Sequence, residues 1–322
     1  MESVLPSLPK SRLVDSHGRL IHKLRVQLTD SCNFRCFYCM PQAVKFLPTS
    51  HLMSSSELVE ITSGLVELGI DEIRVSGGEP TLRSDFEEII AGLSKLALRK
   101  LGLTTNGFIL RDKLSFLKQT RCQHINISLD SLKENRFNVI TRTNHFRTVL
   151  KSVNLTQEAG FRVKVNVVIM RGVNDDEVLD FVDFSAKNNI EVRFLELMKI
   201  GPYYSQHSRL FVSAREMIKK IEERESLTPQ SMNCDSTSFN FKTSSGAHVG
   251  FIASESQSFC GFCSRLRLTA TGFLRACLML EAGINLRYIP KEKYGQVVEA
   301  VMGMKPIDRI DHIKQPMYQI GG

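Results

Sequence analysis

The chain has no tryptophan, and none of its apolar stretches approaches the ~20 residues a helix needs to cross a bilayer. A helical membrane span is therefore excluded. Runs of Lys or Arg never exceed two residues, so the formal net charge of +8 is scattered along the 322 residues rather than gathered in a basic tail. That charge favours a polyanionic or phosphorylated partner, and by itself does not choose between nucleic acid and a small molecule. The aromatics, 19 Phe against 6 Tyr, fall in apolar patterns instead of alternating with cations, and nucleic acid is not the expected partner. An apolar signal core is missing from the opening MESVLPSLPKSRLVD, so export is not expected. Six of the eight cysteines gather in two triplets, leaving Cys122 and Cys234. Both spare thiols read as free and buried, and the expected setting is a reducing cytoplasm.

Each triplet also lacks something: a fourth cysteine. Cys32, Cys36 and Cys39 stand in TDSCNFRCFYCMP, a C-x3-C-x2-C spacing directly after a strand-like segment. A structural zinc site usually takes four protein ligands. A 4Fe–4S cube held by three thiolates instead keeps one iron open for a small molecule. Phe37 and Tyr38 inside the loop suit a stacked adenine. The second group, FCGFCSRLRLTATGFLRACLML, carries Cys260, Cys263 and Cys277, again one short of a full set. Arg265 and Arg267 alternate with Leu266 and Leu268, so both guanidinia leave one face of a strand beside those cysteines. Paired guanidinia suit a phosphate or carboxylate, because each can donate two parallel hydrogen bonds. Two incomplete clusters imply two small molecules, each held by an iron.

From residue 23 to 225, strand-like segments (KLRVQLT, EIRVSG, KLGLTT, HINISLD, FRVKVNVVIM, IEVRFLELM) alternate with helical ones. The clearest helix opens at Ser54 with Glu57 as a capping box. Such alternation means parallel strands joined by right-handed crossovers. Six units predict an α/β fold, a partial (β/α)6 TIM-like barrel left open, with its site at the strand C-terminal ends. Cys32, Gly77-Gly78, Asn106, Ser128 and Glu196 fall there. After Glu225 the texture turns Ser-, Thr- and Asn-rich, with short strand-like pieces FNFKT and AHVGFI. Two regions are expected: 1–228 with the first triplet, and 229–322 with the second and a Gly321-Gly322 end.

The segments DSHGRLIHKLRVQLTDSCNFRCFYCMP, SGGEP, TTNG, SLD, KVNVV, RFLELM and FCGFCSRLRLT…CL, with the terminal glycine pair, carry a family likeness. Over nearly its whole length the chain resembles the GTP 3′,8-cyclase family (molybdenum cofactor biosynthesis protein A) of the radical S-adenosylmethionine (SAM) superfamily. The resemblance implies the radical SAM type of barrel, two 4Fe–4S clusters and SAM. It makes Cys32, Cys36 and Cys39 ligands of the SAM-binding cluster, with Tyr38, Gly78, Ser128 and Met198 contacting SAM. Cys260, Cys263 and Cys277 become ligands of an auxiliary cluster whose open iron binds the guanine of GTP. Arg25, Arg74, Thr105, Lys164, Arg193, Arg265, Leu266 and Arg267 fall at GTP-binding positions. Gly321 and Gly322 would reach into the active site and, with Arg265 and Arg267, count as catalytic.

The implied reaction starts with an electron from the first cluster, which cleaves SAM to a 5′-deoxyadenosyl radical. That radical takes hydrogen from C3′ of the GTP ribose, and the carbon radical closes onto C8 of the guanine. This is the first step of molybdenum cofactor synthesis. Its implied partners are a reductant such as flavodoxin or ferredoxin and a cyclic pyranopterin monophosphate synthase downstream; a homodimer is admitted. Two positions depart from the family pattern: Glu72, where a lysine is frequent, and Ser264, where an asparagine is commoner. Two rival readings make different demands. A peptide-modifying radical SAM maturase calls for more cysteines in the C-terminal region. A non-catalytic metal protein that binds nucleic acid calls for affinity that falls steeply with salt.

Overall fold

The computed structural model describes residues 12–41 and 43–321. A short hairpin, β1 (Leu13–Val14) and β2 (Leu20–Ile21), precedes six strand–helix units. Their strands are β3 (Lys23–Gln27), β4 (Glu72–Ser76), β5 (Lys100–Thr105), β6 (Cys122–Ser128), β7 (Arg162–Ile169) and β8 (Glu191–Glu196). They lie side by side in chain order, every neighbouring pair parallel. The main helices between and after them are α1 (Ser55–Glu67), α2 (Phe86–Ser94), α3 (Leu110–Leu117), α4 (Glu134–Thr141), α5 (Phe146–Glu158), α6 (Val178–Asn188), α7 (His207–Leu210) and α8 (Ala214–Glu222). The capping box is formed: the Ser54 hydroxyl accepts from the Glu57 amide, and Glu57 Oε2 accepts from the Ser54 amide at 2.8 Å. Ser213 and Glu216 open α8 in the same way.

Buried parallel strands are usually apolar on both faces; these are not. Leu24, Val26, Ile73, Val75, Leu101, Leu103, Ile125 and Ile127 pack outward in the main core. The alternate residues, among them Lys23, Arg25, Glu72, Arg74, Lys100 and Asn126, line an internal cavity. Period-2 alternation here separates a packed face from a ligand face.

The remaining chain extends the same sheet at both ends. β9 (Leu227–Pro229), β10 (Phe239–Thr243) and β11 (His248–Ile252) join at β8, with β11 parallel to it. β12 (Arg265–Leu268), β13 (Phe273–Arg275) and β14 (Gly283–Asn285) join at β3, with β12 parallel to it. The result is a twelve-stranded open sheet with eight parallel strands at its centre; among the described residues no pairing joins its edges. The expected boundary at 228/229 falls inside β9, and one hydrophobic core runs from Ile21 to Met302 through both regions. α9 (Tyr294–Gly303) packs on β13 and β14, and α10 (Met317–Ile320) ends the described chain at Gly321. Cys122 is buried as expected. Cys234 is not; it is exposed, in a loop of polar residues with no apolar face to bury it.

Candidate functional site

The first triplet sits in the loop that leaves β3. Cys36 and Cys39 share a tight turn, the Cys39 amide donating to the Cys36 carbonyl at 3.0 Å. The amides of Arg35 and Phe37 donate to the carbonyls of Thr141 and Ile140, which pins the loop to the end of α4. Its base is held from β4: the Gly78 amide donates to the Thr29 carbonyl at 2.7 Å and the Glu79 amide to that of Ser31 at 2.7 Å. A Cβ on Gly78 would stand 2.3 Å from the Ser31 carbonyl oxygen, so that close approach admits only glycine. Beside the loop, the Tyr38 hydroxyl donates to Asp130 Oδ2 at 2.8 Å. Burial lifts the Asp130 carboxyl to about 6.

The second triplet surrounds the start of β12. Cys260 and Cys263 form a turn closed by the Cys263 amide on the Cys260 carbonyl at 3.1 Å, and Cys277 follows β13. Burial pushes the Cys263 thiol up, but the adjacent Arg265 and Lys305 cations outweigh it and bring it to about 6. Lys305 is itself buried, its ammonium donating to the carbonyls of Arg265 (2.6 Å) and Ala276 (2.8 Å).

One cavity of about 480 Å³ lies between the two groups and is lined by all six cysteines and by Arg25, Arg74, Arg193, Arg265 and Arg267. The five guanidinia arrive from β3, β4, β8 and β12. Arg74 donates to the carbonyls of Leu103 and His124, and Gly102 leaves it room: a Cβ there would meet its guanidinium at 2.8 Å. Arg193 pairs with Glu191 at 2.7 Å. Arg25 has no such compensation. Its buried Nε lacks a hydrogen-bond partner, and burial together with Arg267, Arg265 and Arg74 drives it well below the usual guanidinium value. Four guanidinia in one cavity with no carboxylate partner among the described residues, Arg25, Arg74, Arg265 and Arg267, call for a polyanion.

The other residues singled out from the sequence are placed as follows. Tyr38, Gly78, Ser128, Met198 and Thr105 line the cavity. The Thr105 hydroxyl is already engaged, donating to buried Glu79 at 2.7 Å. Lys164 does not line it; its ammonium pairs with Glu191 at 2.6 Å, on the oxygen not used by Arg193. Leu266 turns its side chain into the core between the two arginines. Gly321 is buried with φ +71°, its carbonyl accepting from Arg267 at 2.8 Å and from the Ser76 hydroxyl at 3.4 Å. Gly322 lies outside the described residues. Lys23 and Lys100 also line the cavity and were not singled out, although Lys23 is two residues from Arg25 on one strand face. Asp130 and Lys305 carried no periodic signal at all.

A model of the radical SAM superfamily matches residues 26–185, and one of the Molybdenum Cofactor Synthesis C family matches 190–308. A protein of Synechocystis sp. named GTP 3′,8-cyclase is 45% identical over 98% of this chain and 97% of its own length. The chain belongs to the GTP 3′,8-cyclase family. A second member of that family, from Pseudomonas aeruginosa, is 37% identical over 92% of both chains. Among solved structures, Streptococcus suis SuiB bound to S-adenosylmethionine superposes with a TM-score of 0.65. It covers 89% of this chain and 68% of SuiB at 13% identity, a likeness of fold.

Membership in the GTP 3′,8-cyclase family, and so in the radical SAM superfamily, brings a 4Fe–4S cluster and SAM, and the first triplet fits that cluster. Burial lifts the thiol of Cys32 to about 11 and that of Cys39 to about 12; Cys36 is pushed well up by burial, then by Asp130 and its fellow cysteines. Three such thiols ionise readily only around a positively charged group. Among the described residues no three His, Cys, Asp or Glu side chains close on a single metal ion. A cube takes each thiolate at a different iron, so that mononuclear geometry is not what it requires.

Proposed function

We propose that this chain cyclises GTP, joining C3′ of the ribose to C8 of the guanine, in the first step of molybdenum cofactor biosynthesis. The observation that carries the reading is the unpaired Arg25 beside Arg267, Arg265 and Arg74, in one cavity with both cysteine triplets. A triphosphate brings roughly three to four negative charges to such a site. When bound by Cys32, Cys36 and Cys39, the cluster with SAM supplies the hydrogen-abstracting 5′-deoxyadenosyl group. The chain's own residues do the rest by positioning. Arg25, Arg74, Arg193, Arg265 and Arg267 hold the phosphates, and Tyr38, Gly78, Ser128 and Met198 border SAM. Gly321, carried on Arg267, brings narrow backbone close to the nucleotide.

Cys260, Cys263 and Cys277 are read as ligands of a second 4Fe–4S cluster with one iron left for the guanine. The cationic neighbours Arg265 and Lys305, which hold the Cys263 thiol low, support this. Anaerobically reconstituted protein should then hold about eight iron per chain by ligand count. Replacing those three cysteines with alanine should halve the iron and keep SAM binding. A reductant of the flavodoxin or ferredoxin kind, a downstream cyclic pyranopterin monophosphate synthase and a cytoplasmic setting complete the reading. No helix among the described residues is long and apolar enough to cross a membrane. The deciding experiment supplies GTP, SAM and dithionite anaerobically and looks by mass for 5′-deoxyadenosine and a cyclised GTP. SAM cleavage that leaves GTP unchanged would turn the reading toward another radical SAM substrate.

A further inference from the structure

Loop 230–238, between β9 and β10, bridges the open seam of the sheet. It starts from the β9 edge, yet its Asp235 reaches residues on and beside β3 and β12, towards the opposite edge. One oxygen, Asp235 Oδ2, receives the Lys23 ammonium at 2.6 Å, His22 Nε2 at 2.7 Å and the Ser264 hydroxyl at 2.7 Å. The Asp235 carbonyl takes a further bond from Lys23 at 3.3 Å. The loop's other described hydrogen bonds stay within it or on β9 and β10, and residues 230–234 are exposed. A single carboxylate thus latches the loop across the open seam.

The latch occupies ligand space. Lys23 and Asp235 both line the cavity, and Lys23 shares the inner face of β3 with the unpaired Arg25. An oxyanion gripped by an ammonium, an imidazole and a hydroxyl is chemically a stand-in for a phosphate oxygen. Lys23 is already neutralised while Arg25, two residues away, is not.

We infer that Lys23 binds a terminal phosphate of the nucleotide and that Asp235 is its exchangeable counter-ion: the triphosphate takes the carboxylate's place and unlatches loop 230–238. The inference rests on the GTP reading and deepens it by assigning the phosphate end of the site and a moving part. It predicts opposite signs for two substitutions. Lys23→Met should weaken GTP binding about tenfold, the loss of one charge-assisted hydrogen bond, and leave GMP binding unchanged. Asp235→Asn removes the competitor, so GTP should bind several-fold tighter, again with GMP unchanged. That gain should vanish in the Lys23→Met background.

The test uses anaerobically reconstituted full-length protein, titrated with GTP and with GMP, and hydrogen exchange of loop 230–238 with and without GTP. Faster exchange of that loop on GTP binding, with the stated signs, supports the exchange of anions. Three results overturn it: weaker GTP binding by Asp235→Asn, equal gains for GTP and GMP, or loop amides that slow when GTP binds. Wild-type protein that binds no GTP would instead count against the function proposed above, separately from this inference.

Discussion

Among single residues, Arg25 is the one whose environment makes least sense without a ligand. Its nearest electrostatic neighbours are Arg267, Arg265 and Arg74, and its Nε has no partner. Arg25→Ala should therefore weaken GTP binding by ~1.5–3 kcal/mol, the range for hydrogen bonds to charged groups. It should also leave the melting temperature of nucleotide-free protein unchanged or higher, since an uncompensated buried charge is removed. Arg74→Ala should behave otherwise. Arg74 already holds the Leu103 and His124 carbonyls, so its loss should lower stability as well as affinity. Calorimetric titration with thermal melts separates the two; equal melting behaviour would mean that Arg25 has an anionic partner in solution. Arg265 and Arg267 were legible because they alternate with leucine in a short strand, whereas Arg25, Arg74 and Arg193 were indicated by the family likeness alone. Glu79 was not: its motif could be quoted, but only the fold shows it gathering Thr81, Thr105 and the Asn106 amide at one buried carboxylate.

At the scale of elements, the family likeness makes Gly78, in the pair after β4, a contact of SAM, and Gly78 does line the cavity; that the pair also receives another stretch of backbone is not announced by the motif. The structure supplies the partner: the chain's own Thr29–Ser31 backbone at the root of the cysteine loop. The C-terminal segment offers the stronger test. α10 is docked by Gln27, whose amide donates to the carbonyls of Tyr318 (3.0 Å) and Gln319 (3.3 Å). Gly321 is held separately, by Arg267 and Ser76. Deleting Gly321-Gly322 should thus leave α10 in place, the fold and iron content intact, and SAM cleavage without substrate unchanged. GTP cyclisation should be lost, and the peptide PMYQIGG should restore part of it. Full turnover by the truncated enzyme would make the glycine pair a passive end. Nothing in the two residues themselves would announce such a role, because a glycine can act only through its backbone atoms.

At the scale of the whole molecule, the six central units could be anticipated because strand and helix periods are local. The rest could not. FNFKT and AHVGFI read as strands, but no local feature directs β11 beside β8 and β12 beside β3; that choice is made by long-range pairing. The same long-range closure places His22 at the seam, with Nδ1 2.8 Å from Asp71 and Nε2 2.7 Å from Asp235. Arg99 and Lys23 also face this cluster. The Asp71 hydrogen bond, opposed by burial and reinforced by Asp235, raises the imidazole above its usual value. Burial would raise the carboxyls of Asp71 and Asp235, but their hydrogen-bonded partners outweigh it and hold both below the ordinary range. For the raised histidine, the stabilisation is complete below its unfolded value of about 6.5 and disappears as pH climbs through the higher native value. The depressed carboxylates act in the other direction, contributing above about 4 and failing in acid. The gap in melting temperature between wild type and His22→Gln should accordingly be widest near pH 6 and close as pH rises through the raised native value. A gap that stays constant across that window would mean that His22 is neutral throughout and that the seam is held by hydrogen bonds without an imidazolium charge.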